Sequence, residues 1–295
     1  MNIFRNWFLA SRPWSFTMTA ISVSVGAAHA AVDGYFSWPL YLSTLAGMIV
    51  LHAATNLMND YYDVQSGVDN LDVSTAKYRP HPLLEGKLRP EQVRNGAYLL
   101  YGIAAAVGIY FAATRGWVIL VIGIVGVVAS YFYTAPPFRY KYNALGEFSV
   151  FLMWGPLMVE GAYFIQRQSF SREALWISLP FGLLVALVLL INNVRDISHD
   201  RMKNVRTLPI LIGQKNGIRL YVALVVSAYF AVLWMSLLGP LRLWSLLVLV
   251  SLPLAFRLLR QMKREIPLDA DARTAQLDTA FGILLVASLV LENIV

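Results

Sequence analysis

Carboxylate and amide side chains gather in two short stretches of the chain, and each stretch follows a long apolar run. The first is NDYYDVQSGVD at residues 59–69. Three of its polar residues recur at helical spacing with an asparagine from the preceding turn, which gives Asn56, Asn59, Asp60 and Asp63. Side chains three and four residues apart lie on one face of a helix, so we expect these four to share a face. Gly67 is expected to end the helix, which leaves Asp69 just beyond it.

The second stretch is NNVRDISHD at residues 192–200. Its polar members recur at i, i+4, i+8 and i+11, namely Asn192, Asp196, Asp200 and Lys203. Two acidic stripes that face each other at one end of a helix bundle make a site for hard divalent cations. Magnesium takes one or two carboxylates and usually bridges to phosphate oxygens of the substrate. The two stretches therefore predict a magnesium-dependent site for a diphosphate.

The composition indicates the elements that must position these residues. Of 295 residues 58% are hydrophobic and only 14% are charged, whereas a soluble domain carries about 25% charged residues. We therefore predict an all-α, multi-pass membrane protein, because apolar runs in lipid must be helical to satisfy their backbone groups. The chain has no cysteine, which excludes disulfides and thiolate metal sites. The net charge of +7 is interpreted as the bias of cytoplasmic loops and not as a nucleic-acid surface.

Nine transmembrane helices are predicted within a single domain, residues 1–295. Each span needs about 20 mostly apolar residues. The predicted spans are 14–32, 39–60, 93–113, 117–134, 145–166, 174–194, 217–237, 242–260 and 275–293. A short interfacial helix is expected before them, at residues 2–11. The acidic stretches are four spans apart and are followed by similar segments, RPHPLLEG and RTLPILIG. This predicts two related four-helix halves plus a ninth helix.

Basic residues predict the orientation of these spans. With a cytoplasmic N-terminus, the inner segments hold 20 of the 24 Lys and Arg residues. The four on the other side are Arg115, Arg167, Arg172 and Arg242. Because cytoplasmic loops are rich in Lys and Arg, this split favours a cytoplasmic location for both acidic stretches. The expected setting is a prokaryotic inner membrane.

Basic side chains in the same loops could neutralise phosphate charge. The candidates are Arg79 after the first stretch, Arg195, Lys203 and Arg206 around the second, and Lys141 in the aromatic loop 131–147. A purely structural ion-pair network would use the same residue types, and aromatic residues near a membrane end are also common as interface residues. The four histidines are interpreted as structural, and one of them, His199, lies between Asp196 and Asp200.

The paired stretches resemble those of the UbiA-type intramembrane aromatic prenyltransferases. The resemblance covers nearly the whole chain and includes SRPWSFT at 11–17, YTAPPFRYKYNALGE in loop 131–147 and GAYFIQ at 161–166. It implies nine helices around a central cavity that opens sideways to membrane lipid. It also implies magnesium-dependent transfer of a polyprenyl group from its diphosphate to an aromatic acceptor.

The resemblance assigns roles to individual residues. Magnesium ligands would come from the first stretch as Asn59, Asp60, Asp63 and Asp69, and from the second as Asp196 and Asp200. Diphosphate contacts would come from Lys203, Arg206, Arg195 and Arg79. Asp63, Asp196 and Lys141 would be the catalytic residues. NVRTLP replaces the family's more usual Gly-Lys-x-Thr-Leu pattern, which puts the phosphate contact of Arg206 in doubt.

The acceptor is predicted from finer details of the same resemblance. NDYYD followed by Gly67 and Asp69, with NNVRD in the second stretch, looks like the 1,4-dihydroxy-2-naphthoate prenyltransferases of menaquinone synthesis. In those enzymes the ring carboxyl is lost as the prenyl chain is added. Acceptors such as 4-hydroxybenzoate, homogentisate or a glycerol phosphate lipid stay open. So do two other classes of protein, a secondary transporter for an anionic metabolite and a non-catalytic quinone- or lipid-binding scaffold.

Overall fold

A computed structural model describes residues 3–294, which form a bundle of α-helices. The helices are α1 Ile3–Ala10, α2 Phe16–Val32, α3 Trp38–Gln65, α4 Pro90–Arg115, α5 Trp117–Phe132, α6 Gly146–Leu152, α7 Met158–Arg167, α8 Arg172–Arg195, α9 Ile197–Met202, α10 Leu208–Ile212, α11 Gln214–Leu238, α12 Leu252–Arg264 and α13 Ala270–Ile294. The all-α membrane fold predicted from composition is confirmed. The interfacial helix predicted at 2–11 is α1, and residue 2 lies outside the described residues.

Within residues 3–294, eight helical segments are long and apolar enough to cross a membrane, and α5 is a shorter apolar helix. The nine predicted spans each coincide with one of these segments. With 16 residues, α5 is roughly 24 Å long, less than the ~30 Å hydrocarbon core. It follows α4 directly through Gly116, whose positive φ of 114° reverses the chain where a side chain would be strained.

The fifth span is interrupted where it packs most closely on α8. A π-helical turn, Met153–Leu157, joins α6 to α7 and contains Pro156. Proline has no N–H to donate, so the regular hydrogen-bond ladder is broken there. Beside it, Gly155 meets Gly182 of α8, and a Cβ on Gly182 would lie 2.8 Å from the Gly155 Cα. Small residues at this crossing let the two backbones approach.

Two hydrophobic clusters flank a central cavity. The larger one joins α8, α11 and α13 and contains Phe181, Tyr221 and Phe281, all fully buried. A smaller one joins α3 and α4 around Leu57 and Met58. Between them lies a cavity of 640 Å³ whose walls come mainly from α3, α4, α5 and the α6–α7 segment.

The two acidic stretches end at the same mouth of this cavity, but their helices differ from the prediction. The first stretch continues α3 to Gln65, and Gly67 follows with φ 69°. The second does not form one continuous helix, because α8 ends at Arg195 and α9 starts at Ile197. The helical spacing predicted from Asn192 to Lys203 is interrupted at Asp196, although the Asp196 N–H still donates to the Asn192 carbonyl and the Asp200 N–H to the Asp196 carbonyl. Lys203 follows the end of α9, and its side chain is exposed.

Candidate active site

Asp63 is the most deeply held carboxylate of the first stretch. It is 1% exposed and lies one helical turn after Asn59 on α3. The Lys141 Nζ donates to Asp63 Oδ2 at 2.6 Å and to Asn59 Oδ1 at 3.2 Å, and the Tyr142 hydroxyl donates to Asp63 Oδ1. Burial opposes the ammonium charge, but Asp63, Tyr142 and Asp69 together outweigh it and raise the pKa of Lys141. The predicted partners Asp63 and Lys141 are thus brought together.

Asp60 shares the face of the continuous helix α3 with Asn56, Asn59 and Asp63, as predicted from their spacing, but it has different partners. Its carboxylate, 2% exposed, accepts from the Arg12 guanidinium. The His81 Nε2 lies 3.8 Å from Asp60 Oδ2 and 3.7 Å from Asp69 Oδ2. These three residues each offer a ligand atom within 4.8 Å of the others. Asp60 and Asp69 therefore form a second acidic group beside Asp63, completed by a histidine that we interpreted as structural.

Electrostatics tie Asp69 and His81 to each other. Burial opposes the imidazolium, but Asp69 and Asp60 together raise the pKa of His81. Burial likewise opposes the Asp69 carboxylate, and His81, Lys141 and Arg12 together lower its pKa. Asp69 is thus an ionised carboxylate at neutral pH. It is available as an oxygen ligand for a hard cation.

Arg195 is not an open phosphate ligand in this structure. Its side chain is 6% exposed and donates two hydrogen bonds to the Asp196 carboxylate. The Arg195 Nε donates to Asp196 Oδ1 at 2.9 Å, and the Arg195 Nη2 donates to Asp196 Oδ2 at 2.6 Å. Its Nη1 donates to Asp271 Oδ1 at 2.8 Å and to the Leu268 carbonyl at 2.7 Å. These contacts orient Asp196 and join the end of α8 to the start of α13.

Asp200 is a buried carboxyl group beside a second carboxylate, Asp196. It is 8% exposed, and burial with the neighbouring Asp196 raises the pKa of Asp200 to about 7. Lys141, which pairs with Asp63, acts on Asp200 in the opposite direction. Lys141 therefore lies close enough to both stretches to act electrostatically on Asp63 of the first and Asp200 of the second. A divalent cation would relieve the repulsion between Asp196 and Asp200.

The segment 66–89 covers both stretches. Ser74 Oγ donates to Asp196 Oδ1 at 2.6 Å, and His199 Nε2 lies 2.9 Å from the Val68 carbonyl oxygen. Farther along, the Tyr78 hydroxyl donates to Asp271 Oδ1 at 2.5 Å. Arg79 Nη2 lies 3.1 Å from Asp271 Oδ2. The segment is thus bonded to the ends of α8, α9 and α13 around the mouth of the cavity.

The cavity below this mouth is apolar on one side and polar on the other. The apolar wall includes Ala104, Val107, Ile122 and Val127. On the other side His52 Nδ1 lies 2.8 Å from Thr19 Oγ1, and His52 Nε2 lies 3.2 Å from Ser15 Oγ. Trp154 Nε1 donates to Thr19 Oγ1 at 3.1 Å. We refer to Ser15, Thr19, His52 and Trp154 as the His52 patch.

Several predicted residues lie at the site and others lie at its edge. Asn59, Asp63, Asp69, Arg79 and Lys141 line the cavity. The side chains of Lys203 and Arg206 are exposed and make no hydrogen bond or ion pair within residues 3–294. The Arg206 backbone is instead paired with loop 131–147 through a β-bridge to Asn143. Their predicted diphosphate contacts stay predictions.

Sequence reasoning missed four contributors to the site, which are Arg12, Tyr142, His81 and Asp271. Asp271 is the clearest case, because it is 4% exposed, accepts hydrogen bonds from Tyr78 and Arg195 and forms an ion pair with Arg79. The available signal was its position at the start of the last apolar helix, on the predicted cytoplasmic side. Arg12 stands within SRPWSFT, but nothing in that string indicated Asp60 as its partner.

Comparison with known proteins decides the family. Residues 19–282 match the model of the UbiA prenyltransferase family. The chain belongs to the UbiA prenyltransferase family. It is 30% identical over 286 residues to 1,4-dihydroxy-2-naphthoate octaprenyltransferase of Bacillus subtilis, covering 96% of this chain and 91% of that one. It is 32% identical over 291 residues to human UbiA prenyltransferase domain-containing protein 1, covering 97% and 83%.

Solved UbiA structures share the fold. A UbiA homologue from Aeropyrum pernix aligns with a TM-score of 0.68 at 17% identity, over 92% of this chain and 97% of that one. A UbiA homologue from Archaeoglobus fulgidus, solved with GPP and Mg²⁺, aligns with a TM-score of 0.63 at 15% identity, over 96% and 99%. This UbiA chain is therefore a multi-pass membrane prenyltransferase by family and by fold.

Proposed function

We propose that this UbiA protein transfers a polyprenyl group from polyprenyl diphosphate to 1,4-dihydroxy-2-naphthoate with loss of the ring carboxyl, in a magnesium-dependent reaction. The observation that carries the proposal is the placement of both acidic stretches at one mouth of an apolar cavity. A charged diphosphate fits the mouth, and a prenyl chain fits the apolar wall. A transporter site would instead lie near the midplane and face both sides in turn.

The residues present fit magnesium. Five carboxylates and the Asn59 amide oxygen surround the mouth, and oxygen is the ligand that magnesium prefers. Burial and the neighbouring Asp196 carboxylate raise the pKa of Asp200, and a bound cation would favour its ionised form. Asn59, Asp63 and Asp69 would hold one ion, and Asp196 with Asp200 the other. Asp60 is held by Arg12 and adjoins the first group. Bound magnesium would neutralise charge on the departing diphosphate.

The protein's own groups account for the remaining steps of the transfer. Lys141 and Arg79 line the cavity and are placed to bind diphosphate oxygens as the allylic carbon–oxygen bond breaks. Diphosphate leaves with the bonding electron pair. The ring carbon of the acceptor then supplies the pair for the new carbon–carbon bond, and the carboxyl leaves as carbon dioxide. Arg195 positions Asp196 and does not need to touch substrate.

The naphthoate is supported by the relatives and by the His52 patch. The named activity of the Bacillus relative is 1,4-dihydroxy-2-naphthoate prenyl transfer. In this chain Ser15, His52 and Trp154 of the patch line the cavity, where they would contact a ring that carries hydroxyl and carboxyl substituents.

A panel of acceptors tests the proposal. Purified protein is given one polyprenyl diphosphate, magnesium and, separately, 1,4-dihydroxy-2-naphthoate, 4-hydroxybenzoate, homogentisate or a glycerol phosphate ether lipid. The naphthoate should react fastest and release carbon dioxide, and the Asp63→Asn variant serves as the inactive control. Preference for another acceptor would overturn the substrate. The absence of transfer to all four would overturn the proposal as a whole.

A further inference from the structure

A second cluster of possible metal ligands lies at the end of the bundle opposite to the acidic stretches. His29 is in the last turn of α2, Asp33 caps that helix, and Glu173 is in the first turn of α8. Each offers one ligand atom, and these atoms all lie within 4.8 Å of one another. None of the three lines the central cavity.

His29 provides an independent sign that the cluster takes a ligand. The residue is 2% exposed, and its ring stacks on Tyr163 with centroids 5.4 Å apart. Its Nε2 is buried and has no hydrogen-bond partner among residues 3–294, although most buried polar atoms are satisfied. The nearest acidic oxygen, Glu173 Oε2, lies 3.8 Å away, which is too far for a hydrogen bond.

That separation suits two ligands of one zinc ion. Nitrogen and oxygen ligands lie about 2.0–2.2 Å from tetrahedral zinc, so neighbouring ligand atoms are roughly 3.4 Å apart. A small side-chain movement is enough to shorten the distance between His29 Nε2 and Glu173 Oε2 from 3.8 Å to this value. Glu173 can make that movement, because its side chain is 60% exposed.

Asp33 is already held as metal-binding carboxylates commonly are, by hydrogen bonds from outer groups. Its Oδ2 accepts from the Tyr163 hydroxyl and the Arg167 Nη1. Its Oδ1 accepts no hydrogen bond within the described chain and is free to bind. Arg167 opposes a cation here, but its side chain is 37% exposed and can turn toward water.

We propose that His29, Asp33 and Glu173 bind a divalent transition-metal ion, with zinc as the best match. Imidazole with two carboxylates is a zinc donor set, whereas magnesium prefers oxygen ligands alone. The ion joins α2 to α8, whose other end carries Asn192 and Arg195. It is a structural clamp between the two halves of the bundle, separate from the diphosphate site.

Zinc alone is the probe. Chelator-treated protein is titrated with zinc, bound zinc is counted per chain by elemental analysis, and the melting temperature is recorded. The wild type should melt several degrees higher with zinc, because a ligand that binds only the folded state stabilises it. Glu173→Gln should bind one zinc fewer per chain, with affinity at this site weakened by about 100-fold or more, since losing an outer-shell partner alone costs about 10–100-fold.

Glu91→Gln is the matched control, because Glu91 is also an exposed glutamate in the first turn of a helix. It should bind zinc as the wild type does. His29→Gln should reproduce the loss seen in Glu173→Gln, and magnesium-dependent prenyl transfer by Glu173→Gln should be unchanged. An unchanged zinc count in Glu173→Gln would overturn the proposal. The proposal would also be overturned if zinc were lost only when Asp63 and Asp196 are replaced, because that ion would belong to the acidic stretches at the opposite end of the bundle.

Discussion

Asp271→Asn is the sharpest test of how the site is held together. Asp271 accepts hydrogen bonds from Tyr78 and Arg195 and forms an ion pair with Arg79, and the Asp271 and Arg195 side chains are each 6% exposed. Asparagine keeps the shape but removes the charge that these two arginines share. Breaking a buried ion pair by removing one partner costs about 3–5 kcal/mol. Arg195 keeps Asp196, so we expect the lower part of that range, about 3–4 kcal/mol.

The expected shift in melting temperature is large enough to measure. At about 2–4 °C per kcal/mol for a chain of this size class, the variant should melt about 6–16 °C below the wild type. Transfer should also fall about tenfold or more at temperatures where the variant is folded. Arg79 then loses its ion pair with Asp271, and its side chain is no longer held in one orientation toward the cavity.

Asp269→Asn is the matched control, two residues away. Asp269 pairs with Arg273 at 2.8 Å, but these side chains are 39% and 42% exposed. An exposed pair contributes at most about 1 kcal/mol, so this variant should melt within about 4 °C of the wild type. Melting is followed by tryptophan fluorescence in detergent, and transfer by product formation. If both variants melt together, Asp271 does not hold the two arginines and the reasoning is refuted.

Other consequences are simpler to check. Asp63→Asn and Asp196→Asn should each abolish transfer in folded protein, and chelator should do so reversibly; near-normal rates in both variants would remove the two-stretch site. Because the pKa of Asp200 is raised to about 7, its neutral form prevails at lower pH, so magnesium affinity measured by calorimetry should fall about tenfold per pH unit below 7; a flat profile between pH 5 and 7 would contradict this. Asp278 is fully buried, and neither carboxylate oxygen has a partner within residues 3–294, so Asp278→Leu should raise the melting temperature by a few degrees, since an unsatisfied buried group costs about 1–3 kcal/mol; a lower value would indicate an unseen partner. Tags in segment 66–89 should be accessible from the cytoplasm and a C-terminal tag from the other side, and a cytoplasmic C-terminus would contradict the predicted orientation.

Local patterns in the sequence were sufficient for the helices and for the location of the site. Each apolar run forms a helix because backbone groups in lipid have no other partners. The acidic stretches lie at one end because α3 and α8, the second and sixth spans, run in the same direction. Helical spacing was sufficient to group Asn59, Asp60 and Asp63 on one face of α3, and the resemblance to the family supplied the proposed ligand roles.

Contacts between distant segments could not be chosen in this way. Whether Asp60 faces Arg12 or Lys141 depends on how α3 is rotated against its neighbours, and no local pattern records that rotation. The break at Asp196 depends on packing in the same manner, and Lys203 and Arg206 beyond it are exposed while Arg195 is buried.

The sequence by itself determined the membrane class, the helices and the positions of the two acidic stretches, because hydrophobicity and helical spacing are local properties. Only the tertiary structure decided the partners. Lys141 donates to Asp63, and His81 lies beside Asp60 and Asp69. Asp271 pairs with both Arg79 and Arg195, which are distant from it in the chain. A charged side chain in a loop could pair with many oppositely charged residues elsewhere in the chain. The fold decides which of them becomes its partner, because it brings the two side chains together in a place where water is excluded.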